Sequence, residues 1–145
     1  MSRRKDTVNM LRECNSGIIM GASAIEKVLP MAKNKELGEV LDTCKNTHKE
    51  LGDETHRLLL LHGSDTKPQH KLAKLMSDVK IDTRMMMHSS DKTIASLMTD
   101  GSNMGIKSLS GYLNKYKDAD AASRSIAKRL IASEEYMAVK MRDYL

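Results

Sequence analysis

Two residues of this chain stand out for their chemistry, His48 and Glu134. Glu134 falls on a helical stripe otherwise made of Ile126, Leu130, Met137 and Met141. A carboxylate on such a stripe needs a partner or a raised pKa, because burial penalises its charge. His48 falls on a comparable stripe with Leu41, Cys44, Leu51 and Leu58. The two are expected as a satisfied internal polar pair, or as boundary residues that reach water. One such pair is not a catalytic constellation. Together with three neighbours they form the set on which a variant metal or redox site would draw: His48, Glu50, Glu54, His56 and Glu134.

Other candidates carry less. Met85-Met86-Met87 invites a soft-metal reading, but only one or two of three consecutive helical positions face the same way. Methionine as core filler is the expectation there. His56, His62 and His70 fall near one end of the helices and offer only an adventitious surface metal site. Cys14 and Cys44 are too few for a disulfide framework and too far apart for a Cys-rich metal motif. They are expected as two half-buried thiols. No Gly-rich phosphate loop follows a strand, and no Ser or Cys nucleophile motif occurs. The chain also lacks the aromatic–basic interleaving that stacks bases.

The elements that must position these residues are helices. There is no Phe or Trp among the 145 residues, and Tyr occurs four times. The core must therefore be Leu, Ile, Val, Met and Ala, and unbranched Leu and Met favour helix over sheet. This length suits one domain, 1–145, with a core that needs no staples. The net charge of +5 is spread along the chain, apart from Arg3-Arg4-Lys5. It reads as a solvated surface more than a polyanion site. No apolar run approaches the ~20 residues of a membrane span and no leader stands out, so a cytoplasmic protein is expected.

Five segments follow from apolar periodicity. The first runs from about Asp6, a candidate N-cap, to Ala32, with Pro30 in its last turn. The second runs from Asn34, as cap, to His62, where Gly63 stops it. The third, about 68–88, starts at Pro68. Ser89-Ser90-Asp91 then caps a fourth segment that ends near Lys117. Asp118 is the candidate cap of the fifth, about 119–144. The third segment is the short one and sits where a crossover is needed.

The first and fourth segments carry a repeat. Gly17-Ile18-Ile19-Met20-Gly21-Ala22-Ser23-Ala24-Ile25 aligns with Gly101-Ser102-Asn103-Met104-Gly105-Ile106-Lys107-Ser108-Leu109. The stripes of the second and fifth segments match too: Cys44, His48, Leu51, Thr55 and Leu58 pair with Leu130, Glu134, Met137, Met141 and Tyr144. A helical hairpin thus occurs twice, and two hairpins packed face to face make a four-helix bundle. Each interior glycine costs ~1 kcal/mol against alanine and so needs a reason. Close packing against a neighbour is the expectation, and a bundle cavity is the sharper alternative.

The repeated hairpins, the crossover helix and the glycines of the first and third bundle helices resemble the ferritin-like superfamily, in particular small bacterial ferritin-like domains of unknown function. The resemblance spans nearly everything from Asp6 to Leu145, and residues 100–109 are its most family-like piece. It implies an all-α four-helix bundle with an additional crossover helix. In metal-binding members of that family, the first and third helices each supply an inward Glu, and the second and fourth each supply Glu-x-x-His. By the repeat, those places fall here on Ile18 and Ser102, on Thr47 and Glu50, and on Ser133 and Tyr136. Shifted by one residue, the second and fourth helices give His48 with Leu51 and Glu134 with Met137. Neither alignment restores a carboxylate–imidazole set. No Glu in the chain is followed three residues later by His, and Asp53-x-x-His56 occurs once, without a repeat partner. A di-iron oxidase or iron-storage role is therefore not expected, and no catalytic residue, metal ligand or cofactor is assigned.

The leading expectation is a non-catalytic bundle that acts through protein–protein contacts, with a homodimer as the simplest form. A second reading is a metal-binding or redox protein with a variant site. A third is weak nucleic-acid binding through the basic surface. No membrane partner is expected.

Overall fold

The computed structural model describes residues 2–67 and 90–145. The expected crossover helix, with Met85, Met86, Met87 and His70, lies outside the described residues. The rest is all-helical: α1 (Ser2–Val28), α2 (Lys35–Leu61), α3 (Asp91–Lys115) and α4 (Ala121–Met141). Single 3-10 turns at Leu29–Met31 and Arg142–Tyr144 follow α1 and α4. No strand occurs among the described residues.

The ends of these helices follow from side-chain chemistry. Pro30 has no N–H to give, and α1 tightens into its 3-10 turn there. The Asn34 side chain accepts from the Leu37 N–H and opens α2. Gly63 closes α2 with φ +71, a conformation that favours glycine. Its N–H donates to Leu60 O, and the Ser64 N–H donates to Leu59 O, satisfying carbonyls the helix would leave open. Ser90 caps α3 through the Thr93 N–H.

Two expected caps are corrected. Asp6 lies inside α1, and its carboxylate accepts from the Asp118 N–H at 3.0 Å. The cap of α4 is then Asp120, whose carboxylate accepts from the Ser123 N–H at 2.8 Å. The Asp118 carboxylate instead accepts from the Ser2 hydroxyl at 3.1 Å, so Asp6 and Asp118 both meet segments distant in sequence, which local patterns do not report.

Helices α1 and α2 form one hairpin, and α3 and α4 the other. Helix α4 touches all three others, while α2 and α3 take opposite corners of the bundle. The hairpins grip each other's turns. Asp91, at the start of α3, accepts from the Lys33 and Asn34 N–H groups at 2.8 and 2.9 Å. Thr7, near the start of α1, accepts from the Asp120 N–H at 2.8 Å. Thr7 and Asp91 each stand ten residues before the leading glycine of the repeat, and Asn34 and Asp120 are the matching caps. The repeat is thus expressed as reciprocal contacts as well as matching stripes.

The buried side chains form two apolar clusters. One holds Met10, Leu11, Ile18, Leu51, Leu59, Leu109, Ile126 and Leu130. The other holds Ile25, Val28, Leu37, Leu41, Ile94, Met98, Met137 and Met141. The repeat's glycines, with His48 and Glu134, stand between them.

Candidate functional site

Between α1 and α3, halfway along the bundle, lies a cleft of about 580 Å³. Its walls are the two copies of the repeat. Gly17, Met20 and Gly21 come from α1, and Gly101, Met104 and Gly105 come from α3. His48 of α2 and Glu134 of α4 line it from the other hairpin helices. Met104 is 65% exposed and marks the open rim.

The four glycines do different work. A methyl group on Gly21 would stand 2.6 Å from His48 Nε2, so Gly21 makes room for the imidazole. Gly105 is its counterpart, with Glu134 Cδ 3.4 Å from the same construction. Among the described residues, Gly17 meets only Leu130, at 4.0 Å, and Gly101 meets nothing within 4 Å. Close packing therefore accounts for Gly21, and open space accounts for Gly101.

His48 and Glu134 are brought together, as the matched stripes imply. Nε2 of His48 stands 3.2 Å from Glu134 Oε1. Nδ1 stands 2.8 Å from the Cys44 carbonyl oxygen, which can only accept, so Nδ1 carries a hydrogen. The Nε2–Oε1 contact is attractive only with a second hydrogen between the two atoms. The pair as a unit is then neutral. His48 is buried, and the Glu134 side chain is 15% exposed, on the cleft side. Glu134 Oε2 has no hydrogen-bond partner among the described residues.

The neighbouring acids are held neutral. Burial first, and then the Glu134 charge, push the Cys44 thiol up to about 11, against a smaller opposing effect of a Ser133 hydrogen bond. Burial and Glu13 push Cys14 up to about 12. Both thiols are free and buried, more so than expected. Tyr112, on the cleft wall, is pushed up to about 12 by burial and by a hydrogen bond to Glu13.

The places where the resemblance implied metal-site carboxylates and Glu-x-x-His pairs divide. Ser102 and Ser133 are buried and line the cleft. Ile18 packs in the first cluster, and Thr47 turns its hydroxyl back to the Thr43 carbonyl. Glu50 and Tyr136 are exposed. The shifted alignment is thus the one that brings His48 and Glu134 inward.

The five variant-site candidates do not gather. Glu54 is taken by Arg129 in a two-pronged ion pair, both contacts 2.8 Å. His56 Nε2 donates to Asn15 Oδ1 at 2.8 Å, and Asn15 Nδ2 donates to the Thr66 carbonyl at 3.0 Å. Among the described residues, no three His, Cys, Asp or Glu side chains are grouped to hold a metal. His62 stands apart from His56, with its Nε2 3.9 Å from Asp120.

Glu13 on the cleft wall and the Arg129 ion pair were not anticipated from the sequence. The Gly-Met-Gly repeat was the available signal for the cleft. No described helix is long and apolar enough to cross a membrane. In comparisons with known proteins, no family model, no curated protein and no solved structure matches this chain.

Proposed function

We propose that this chain is a non-catalytic, ferritin-like bundle that binds one small, largely apolar molecule in the cleft between α1 and α3. The observation that carries the reading is the cleft. Its volume of about 580 Å³ falls within the ~300–1,000 Å³ of ordinary small-molecule sites. Its lining is mainly apolar with a few polar groups, as such sites are. A core selected for stability alone would fill this space. Gly101 lies midway along α3 on the exposed side of the cleft, where alanine is better by ~1 kcal/mol, and among the described residues nothing within 4 Å excludes a side chain.

The ferritin-like part rests on two repeated hairpins whose inward positions meet halfway along the bundle. The non-catalytic part rests on His48, whose Nε2 faces a carboxylate and not a hydroxyl or thiol. The test is a fluorescence titration with the neutral dye N-phenyl-1-naphthylamine. One saturable site is expected in the native chain, and Gly101→Leu should abolish it. A dye that fails to bind, or binds Gly101→Leu equally, would sink the reading.

Self-association is a second reading, supported at the end of α2. Leu60 and Leu61 are 66% and 73% exposed there. Two adjacent leucines in water favour a covered surface. The mass in solution tests this: a homodimer that dissociates in the double variant Leu60→Ser, Leu61→Ser is expected, and a monomeric native chain rules it out.

A further inference from the structure

We infer that the cleft selects a neutral hydroxyl: a primary alcohol whose O–H donates to Glu134 and accepts from Ser102, with its alkyl chain lying along the glycine walls. The inference rests on the cleft reading above and names its ligand class.

Ser102 carries it. The residue is only 3% exposed, and its hydroxyl has no hydrogen-bond partner among the described residues. Leaving a buried polar group unmet costs free energy. Among the described residues no side-chain oxygen or nitrogen sealed from solvent lacks a partner, so the Ser102 hydroxyl opens onto the cleft it lines. Ser133 differs, because its hydroxyl is engaged with the Cys44 thiol.

The matching acceptor is Glu134 Oε2. The hydrogen shared with His48 sits between Nε2 and Oε1, so Oε2 carries none and can only accept. It meets no donor among the described residues and stands 3.6 Å from the place a Cβ on Gly105 would take. Ser102 comes three residues before Gly105 on α3, so their Cβ positions lie ~5–6 Å apart on one face. Hydrogen bonds of ~2.8 Å each let one hydroxyl span that gap.

The His48–Glu134 unit is neutral, so it asks for a hydrogen and not for a charge. An alcohol brings the donor that Oε2 lacks and the acceptor that Ser102 lacks. An ether or a ketone only accepts and leaves Oε2 unmet. Met20 and Met104 supply adaptable apolar contact for a chain of no fixed shape.

The test uses two isomers, octan-1-ol and heptyl methyl ether, each titrated at pH 7 against the full chain by calorimetry. Water holds the alcohol more strongly than the ether, so a purely apolar cleft would prefer the ether. The opposite order is expected: octan-1-ol should bind roughly tenfold more tightly, the effect of two hydrogen bonds. Ser102→Ala removes only the hydroxyl from a helical position and should cut that preference to about threefold. Ser110→Ala, on the same helix but off the cleft wall, should leave it intact. The order of the isomers on the native chain stands as a test even if Ser102→Ala fails to fold. Tighter binding of the ether would overturn the inference, as would an unchanged preference in Ser102→Ala. If both isomers and the neutral dye bind with no preference for the alcohol, this inference falls and the cleft reading stands. If none of them binds, both fall.

Discussion

At either end of the bundle, Leu, Ile and Met side chains close the space between four helices. Leu37, Leu41 and Met141 at one end, and Met10, Leu11 and Ile126 at the other, are fully buried. Halfway along, the same four helices leave a cleft, where four glycines, four serines and a His–Glu pair stand among the leucines and methionines that line it. The backbone scaffold is common to both regions. The difference lies in side-chain volume, and it separates the residues that hold the fold from those available for binding.

The largest contrast should come from truncation. Leu41→Ala, at an end, removes a fully buried side chain and should cost ~2–5 kcal/mol in denaturant unfolding. Met104→Ala, at the cleft rim, should cost well under ~1 kcal/mol, since that side chain is mostly exposed. Equal costs would erase the distinction between the two regions.

Within the middle, the two halves of the repeat can be set against each other. Gly21→Ala forces a methyl group against His48 and should cost ~1–3 kcal/mol. Gly105→Ala meets Glu134 at ordinary contact distance, and helix propensity offsets any crowding, so its stability should stay within ~1 kcal/mol of the native chain. Thermal unfolding of the two variants measures the asymmetry. If Gly21→Ala is the milder of the two, the account of His48 seated over Gly21 is wrong.

The reciprocal clamps come next. Asp91→Ala leaves the Lys33 and Asn34 N–H groups without their acceptor and should cost ~1–2 kcal/mol. Thr7→Val removes one acceptor, from Asp120, and should cost ~1 kcal/mol. Hydrogen exchange at these amides should quicken in the matching variant only. Quickening of both turns together would mean that they are not separately held.

Smaller effects separate the buried thiols from the surface ion pair by pH. The unfolded chain gives up its thiol protons near pH 9, while the folded chain keeps them until about 11 or 12. Stability should therefore fall as pH rises from 9, and alkylation of Cys14 and Cys44 should wait for unfolding. Glu54 behaves in the opposite sense. The hydrogen bond from Arg129 holds it below the ordinary 4.5, so its contribution is present above that pH and lost as pH falls through the folded value. Arg129 is about half exposed, so Arg129→Ala should cost no more than ~0.5 kcal/mol, and salt should shrink that further. Rapid alkylation in the native state, or a large Arg129 effect, would contradict the burial described here.

Much of the frame was legible from residue patterns. Asn34, Ser90 and Gly63 mark helix ends because their chemistry is local. The pairing of His48 with Glu134 was legible because the repeat sets matching positions on facing helices. Asp6 and Asp118 were misread as caps because segments far apart in sequence decide what those carboxylates meet. The cleft was legible only as an alternative, since glycine reports the absence of a side chain and not what occupies the space. Gly21 and Gly101 have the same residue type in the same motif and opposite surroundings. Arg129 and Glu13 were missed because an ion pair and a wall contact depend on how far apart the helices stand, which periodicity does not encode.

The most direct measurement is methyl NMR of the full chain with labelled methionines, titrated with N-phenyl-1-naphthylamine. The aromatic dye should shift the methyl signals of Met20, Met98, Met104 and Met137, which line the cleft, and leave Met10 and Met31 in place. Shifts confined to Met31, or spread evenly over all methionines, would contradict a binding site at the centre of the bundle.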